Sequence, residues 1–350
     1  MSCTEPLNIC KDTSAVLYQA GEPLLAPIAG HSDLPMRLSA RRHCCKYAFT
    51  EMVDAGSLVF GNEKTCKMLM ARDPSEEFLG IQLVGSDHEH LAKAAQLINT
   101  LHFDVLDFNL GCPAPKVARK CEGAMFAATK PEEAVRAFSV LVKNSSIPVT
   151  VKTRILSETD PEPTVKLCKS LEDAGAQALT LHGRLMKNFY SGPVFFDIIR
   201  AVRESLHIPV IANGGGLTQA LYDELVRKST CSNGMVARGA CGNPWIFREI
   251  RQGKMDPPTL AEFLTEIRLH FESMIRFYGE DSACRISRKT ILSYLRGRGF
   301  PGELRASVSY LSSAQDFEVL MKSLENGPSP RYYQMLRLDP GMERRLKLEE

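Results

Sequence analysis

The chain has 350 residues, 44% apolar and 24% charged, with 24 glycines and 20 prolines; this composition is globular and excludes a collagenous, coiled-coil or broadly disordered protein. Lys and Arg number 43 against 41 acids, a net charge of +2, so no whole-molecule field gathers nucleic acid and any basic surface must be local. No apolar run approaches the roughly 18 residues of a membrane span, and the N-terminus carries Glu5, Lys11 and Asp12 where a signal peptide would be apolar, which points to a cytoplasmic protein without a membrane segment.

After a lead-in over residues 1–23, one rhythm repeats: a short apolar run, then an amphipathic stretch of helical spacing, the pattern of βα units. The runs predict strands at 24–28, 47–53, 78–84, 104–110, 148–153, 178–182, 208–213 and 235–238. Helices are expected between them at 33–43, 54–60, 87–100, 131–144, 161–174, 194–205, 218–228 and 244–251. Pro131-Glu132-Glu133 and Asp160-Pro161-Glu162 are helix starts, because Pro suits the first turn and acids favour the positive end of the dipole. Eight such units over residues 24–255 predict a (β/α)8 TIM barrel. A doubly wound sheet would carry a glycine fingerprint after its first strand, and Ala26-Pro27-Ile28-Ala29-Gly30 is none.

Asp256-Pro257-Pro258 breaks the rhythm, and apolar residues then recur at helical spacing (Phe263, Ile267, Phe271, Met274; then Ile291, Leu292, Leu295), which predicts a small all-α C-terminal domain at 258–326. The tail at 327–350, with Pro328, Pro330 and Pro340, is expected to be extended or poorly ordered.

A TIM barrel builds its site at the C-terminal ends of its strands. Those ends carry Glu51, Gln82, Asn109 followed by Gly111-Cys112-Pro113, Lys152 with Arg154, His182 with Arg184, Asn213 followed by Gly214 to Gly216, and Arg238-Gly239. A scaffold without a ligand has little reason to gather so many polar side chains at one mouth. The glycines after the last two strands let backbone N–H groups approach an anion, which favours a phosphorylated cofactor. Lys152, in an otherwise apolar run, is placed to stabilise negative charge on a reduced flavin or an enolate, with pairing to Glu51 or Asp107 as the plain alternative.

Cys112 stands just past a strand end, where a thiol is exposed at the mouth; an ordinary thiol, with a pKa of about 8.5, is mostly protonated at neutral pH and can act as a general acid. The eleven cysteines are odd in number, scattered and free of CxxC pairs, so neither a disulfide framework nor a metal site is indicated. His88 and His90 open an expected surface helix and read as solvated.

In this combination the chain resembles the tRNA-dihydrouridine synthases, FMN-dependent enzymes that reduce the C5=C6 bond of uridines in tRNA with NADPH. The segments that carry the resemblance, in order, are Leu25-Ala-Pro-Ile-Ala-Gly with Asp33 and Arg37, Thr50-Glu-Met-Val, Gln82-Leu-Val-Gly-Ser, Asp107-Phe-Asn-Leu-Gly-Cys-Pro, Pro148-Val-Thr-Val-Lys-Thr-Arg, Leu181-His-Gly-Arg, Pro209-Val-Ile-Ala-Asn-Gly-Gly, Met235-Val-Ala-Arg-Gly-Ala and Asn243-Pro-Trp-Ile-Phe. The Arg288-Lys289 region and the chain length resemble the bacterial-type members.

The resemblance implies that Pro27, Ile28 and Ala29 back an FMN, that Gln82 binds its ring edge, and that Lys152 and His182 contact its ring and ribityl chain. Asn213, Gly214, Gly215, Ala237 and Arg238 would hold its phosphate. Cys112 would protonate C5 after hydride reaches C6, with Asn109, Arg154 and Arg184 facing the uridine. Three positions depart from the family's pattern: Glu122 lies in a stretch that is usually glycine- and alanine-rich, Gly215 replaces an acid, and Ala237 replaces a glycine.

A uridine in folded tRNA must be turned out to reach a thiol at a barrel mouth, so contacts elsewhere must hold the RNA. Within residues 285–305 stand Arg285, Arg288, Lys289, Arg296, Arg298 and Arg305 against Glu303 alone, a local basic surface expected to bind tRNA phosphates. The protein is expected to act as a monomer. Two alternatives stay open on the sequence: a small-molecule flavin oxidoreductase on the same barrel, and an RNA-binding scaffold without redox activity.

Overall fold

The computed structural model describes residues 17–61, 68–338 and 346–347. Most of the lead-in, Cys66 and much of the tail beyond residue 338 lie outside them. Eight strands, β1 (Leu24–Leu25), β2 (Tyr47–Asp54), β3 (Leu79–Val84), β4 (Val105–Leu110), β5 (Val149–Arg154), β6 (Leu179–His182), β7 (Val210–Asn213) and β8 (Asn233–Val236), pair in sequence order into a closed barrel. All pairs are parallel, and β1 closes on β8 with Leu24 opposite Met235. Parallel strands are covered on both faces, which is why β3 and β4 read as near-continuous apolar runs and are buried throughout.

The helices between the strands fall where their apolar spacing places them, among them Leu34–Arg42, His88–Ile98, Pro131–Asn144, Glu162–Asp173, Phe196–Ser205 and Gln219–Ser229. Asp33, Asp87 and Thr218 cap three of them by accepting backbone N–H bonds at 2.9, 2.8 and 3.2 Å. The barrel is therefore the (β/α)8 fold expected from the sequence. No described helix is long and apolar enough to cross a membrane.

Beyond the barrel the chain is helical: Leu260–Tyr278, Glu280–Leu295, Gly302–Ser307 and Ala314–Leu324. These pack around Trp245, Phe263, Tyr294 and Phe300, with Phe271 stacked on Phe317 at 3.8 Å. The segment after Gly327 departs from the expectation of an extended tail: Pro330–Leu338 forms a helix whose Tyr332 and Leu336 are buried. Pro330 is its first residue, where proline permits a helix to begin.

The helical region sits directly on the barrel. Gly242, at φ 64°, lies against the Glu280–Leu295 helix so closely that a Cβ there would stand 2.2 Å from Ser293 C. Glu266 accepts from Ser39 at 2.6 Å and pairs with Arg42 and His43 at 2.6 and 3.0 Å across the same junction.

Arg298, expected on the RNA-facing surface, is fully buried in that junction. It donates to Gly242 O, Tyr294 O and Asn243 Oδ1 at 2.9, 2.6 and 2.8 Å, and its guanidinium lies over Trp245 and Phe263. It fastens the helical region to the barrel and cannot contact RNA.

Candidate active site

One cavity of about 340 Å³ opens at the C-terminal ends of the strands. Every barrel residue singled out in the sequence as a cofactor, catalytic or substrate group lines it: Pro27, Ile28 and Ala29 from the first loop, Gln82, Asn109 and Cys112, Lys152 and Arg154, His182 and Arg184, and finally Asn213, Gly214, Gly215, Ala237 and Arg238. They converge because parallel strands of one barrel all end on one rim.

A relay of hydrogen bonds orients the β3–β4 side. Thr150 Oγ1 and Gln82 Nε2 each donate to Asp107 at 2.7 Å. Gln82 Oε1 in turn accepts from Asn109 Nδ2 at 2.8 Å. Asn109 Oδ1 then accepts the N–H groups of Gly111 and Cys112 at 3.0 and 2.8 Å. The turn bearing the half-buried Cys112 thiol is thus fixed from the barrel interior. Burial pushes Asp107 up to about 6, against the hydrogen bonds from Gln82 and Thr150 that favour its ionised form.

Lys152 Nζ donates to Asn213 Oδ1 at 3.0 Å, and Asn213 Nδ2 donates to Met235 O at 2.8 Å. Lys152 is therefore not paired with Glu51 or Asp107; it is tethered to the seventh strand by a neutral amide. Burial, with Arg154 nearby, lowers it to about 8, while Asp107 and Cys112 pull the other way. Burial and the four surrounding cations Arg154, Lys152, Arg184 and Arg238 hold His182 well below its ordinary pKa, so its ring is neutral. Arg184 Nη1 approaches His182 Nε2 at 3.5 Å, and since arginine only donates, Nε2 faces it with a lone pair.

The loop after β6 crosses the mouth. Arg154 Nη1 donates to Phe189 O at 2.8 Å, Arg184 Nε to Gly192 O at 2.9 Å and Arg238 Nη2 to Tyr190 O at 3.1 Å. The ring of Tyr190 lies under the Arg238 guanidinium at 4.9 Å. Tyr190 escaped the sequence reading because it stands in an irregular loop without periodicity. Met52 and His31, which also line the cavity, were missed for another reason. The pairing of β2 with β3 shifts register between Phe49 and Met52, so Met52 reaches the cavity while Glu51 Oε2 instead accepts the Gly30 N–H at 2.5 Å.

The residues present fit a flavin mononucleotide. Gly214 has φ 117°, and a Cβ there would stand 2.9 Å from the His182 ring, so only glycine allows the backbone this close to the cavity. Gly214, Gly215 and Gly216 line the cavity together with Arg238, so close-approaching backbone and a guanidinium are available to a phosphate. Ala26, Ile28 and Met235 supply apolar surface for a flat ring. Gly215 and Ala237 leave the backbone donors there in place, as any residue would.

The basic residues beyond the barrel are not part of this cavity. Arg285 and Arg296 are exposed. Arg288 spends Nε and Nη2 on Leu311 O at 2.9 and 2.8 Å. Lys289 Nζ reaches Gly30 O on the barrel rim, beside the loop that lines the cavity.

A family model described as dihydrouridine synthase matches residues 24–326. The chain is 34% identical over 279 residues to tRNA-dihydrouridine synthase B of Pasteurella multocida, covering 78% of this chain and 83% of that protein. It is 33% identical over 295 residues to a probable tRNA-dihydrouridine synthase of Rickettsia conorii, covering 83% and 88%. Over 317 residues it is 32% identical to tRNA-dihydrouridine synthase B of Klebsiella pneumoniae, covering 88% and 98%.

Proposed function

The chain belongs to the dihydrouridine synthase family, and on that premise we propose that it reduces the C5=C6 bond of uridines in tRNA to 5,6-dihydrouridine, with FMN as cofactor and NADPH as reductant. In this reading residues 24–255 form the catalytic barrel and residues 258–326 the tRNA-facing helical domain of a monomer that acts in the cytoplasm.

The observation that carries the reading is the single cavity in which the Cys112 turn, Lys152 and the Gly214–Gly216 backbone meet. FMN, when bound, would supply hydride chemistry toward C6 of the uracil, with NADPH as the source of the electrons. Asn213, Gly214, Gly215, Ala237 and Arg238 would hold its phosphate; Pro27, Ile28 and Ala29 would back its ring, and Gln82 would meet its edge. Lys152 and the neutral His182 would contact the ring and ribityl chain. The charge that hydride addition leaves on the uracil carbonyl is enolate-like, and the Cys112 thiol quenches it by giving its proton to C5. Asn109 fixes the turn from which that proton comes, and Arg154 and Arg184 bound the pocket for the base.

In this reading the exposed Arg285 and Arg296, with Lys289 at the rim, would hold RNA phosphates, and positioning of this kind carries no base information. A small-molecule oxidoreductase has no use for such a surface. The decisive test is to purify the protein, reconstitute it with FMN, and map dihydrouridine in tRNA from cells that lack it. Loss of dihydrouridine at defined positions, restored by the wild type, is expected. A colourless protein that takes up no FMN, or unchanged tRNA, would overturn the proposal.

A further inference from the structure

A second concave site shares a wall with the cavity. It is a groove of about 600 Å³ on the rim, between the segments that follow β2, β3 and β4, lined by Asp54, Phe60, Asp87, His90, Lys120 and Glu122. The shared wall is the segment after Cys112, where the Ala124 N–H donates to Cys112 O at 3.0 Å. Glu122 stands two residues before that bond, in the groove.

Glu122 is 7% exposed, and among the described residues its carboxylate has no hydrogen-bond partner; it occupies the N-cap of the Gly123–Thr129 helix without its side chain capping it. Burial raises its pKa and the Lys120 ammonium lowers it, so its charged form gains from a further donor. Beside it, Lys120 Nζ lies 2.7 Å from Asp54 Oδ2 and, with three N–H groups, has donors to spare. Phe60 is 77% exposed and meets His90 edge-on at 5.0 Å. Among the described residues the acids and histidines here form no metal-binding set. The groove therefore offers a pair of acceptors, an adjacent donor and an open aromatic face.

We propose that this groove takes one unpaired guanine of the RNA substrate, stacked on Phe60 with its Watson–Crick edge turned to Glu122 and Lys120. The proposal rests on the reading of the chain as an RNA enzyme. Guanine presents N1–H and the N2 amine side by side with the O6 acceptor next to them, which matches a carboxylate followed by an ammonium. Uracil, cytosine and adenine present no two adjacent donors on that edge. Unpaired bases are recognised by stacking together with edge hydrogen bonds, and the acidic Asp54 and Asp87 turn the base, not the backbone, toward the groove.

The test reads binding without turnover. The holoprotein is titrated with GMP and with IMP, which lacks only the N2 amine, and with tRNA transcripts in which each guanosine in turn is replaced by inosine. GMP is expected to bind about tenfold more tightly than IMP, and inosine at one position to weaken tRNA binding by a similar factor. Glu122→Gln should erase both differences, and Phe60→Ala should weaken both nucleotides. Equal binding of GMP and IMP, or a preference that survives Glu122→Gln, overturns the proposal, and a GMP preference with no sensitive tRNA position assigns the groove to a free nucleotide instead. A protein that bound guanine in this way but reduced no uridine would sink the proposed reaction and leave the groove standing.

Discussion

Asn109 governs the main chain of Cys112: its Oδ1 accepts the Cys112 N–H at 2.8 Å, while its Nδ2 is held at 2.8 Å by Gln82 Oε1. Asn109 is thus oriented by the barrel interior, through Gln82 and the buried Asp107, and passes that orientation to the turn that carries the thiol. The position of the Cys112 turn is decided three residues before it, by Asn109, and on the adjacent strand, by Gln82.

Cys112→Ala is expected to retain FMN, because none of the groups assigned to the cofactor is touched, while dihydrouridine formation falls by about 10² or more, the usual worth of a positioned acid. Flavin absorbance and single-turnover product assays measure the two separately. Asn109→Ala should lower turnover by about tenfold with the flavin still bound, because the turn loses its two N–H anchors. Unchanged product formation in Cys112→Ala would remove the assigned role.

Lys152 predicts a pH dependence. Its folded pKa, about 8, lies below that of the unfolded chain, so between about pH 8 and 10.4 the unfolded state binds more protons and stability rises with pH through that window. Function runs the other way, since only the ammonium stabilises developing negative charge. In the protein without flavin, Lys152→Met should raise the melting temperature at pH 7 and flatten its rise above pH 8. In the loaded enzyme the same change should lower turnover at pH 7. Stability of Lys152→Met with the same pH slope as the wild type would contradict the assignment.

The barrel and its site were legible in the sequence because a parallel strand buried on both faces writes an apolar run, and the polar residue that ends the run faces the mouth whatever the loop does afterwards. Gln82, Asn109, Lys152, His182 and Asn213 were all found this way. What was not legible depends on packing between distant segments. β8 starts at Asn233, two residues before the run suggested, because Asn233 Nδ2 is held by Gln19 O and Glu22 O near the start of the described chain. Arg298 belongs to a run of cations, and no local pattern shows that Trp245, Asn243 and Gly242 close over it. The Pro330–Leu338 helix is too short and polar to declare itself, and it exists because Tyr332 and Leu336 find a buried seat.

Arg298 and Arg296, two residues apart, are expected to behave as different kinds of residue. Arg296→Ala should leave thermal stability unchanged and weaken tRNA binding, with the slope of log affinity against log salt falling by about one unit. Arg298→Ala should cost about 3 kcal/mol of stability, because three buried acceptors lose their donor and two aromatic faces lose their cation. Thermal melts and salt-dependent binding separate the two. An Arg298→Ala protein of wild-type stability would show that the junction does not depend on it.

The junction between barrel and helical region also predicts an acid limit. Glu266 has its carboxyl lowered to about 2; burial alone would raise it, but hydrogen bonds from His43, Arg42 and Ser39 and the Arg42 charge prevail. A carboxyl lowered on folding contributes stability that is complete above its unfolded pKa, about 4.3, and is lost as pH falls from there toward 2. Glu266→Gln should cost about 3 kcal/mol at neutral pH, since the Arg42 guanidinium keeps its charge at this boundary without a counter-charge. It should also remove part of the wild type's loss of stability between about pH 4.3 and 2. Because Glu266 joins Ser39 and Arg42 of the first barrel helix to the Leu260–Tyr278 helix, the variant's helical region should loosen before the barrel melts, visible as early hydrogen exchange in residues 260–295. A single cooperative melt with wild-type acid dependence would show that the ion pairs at this boundary contribute nothing to its strength.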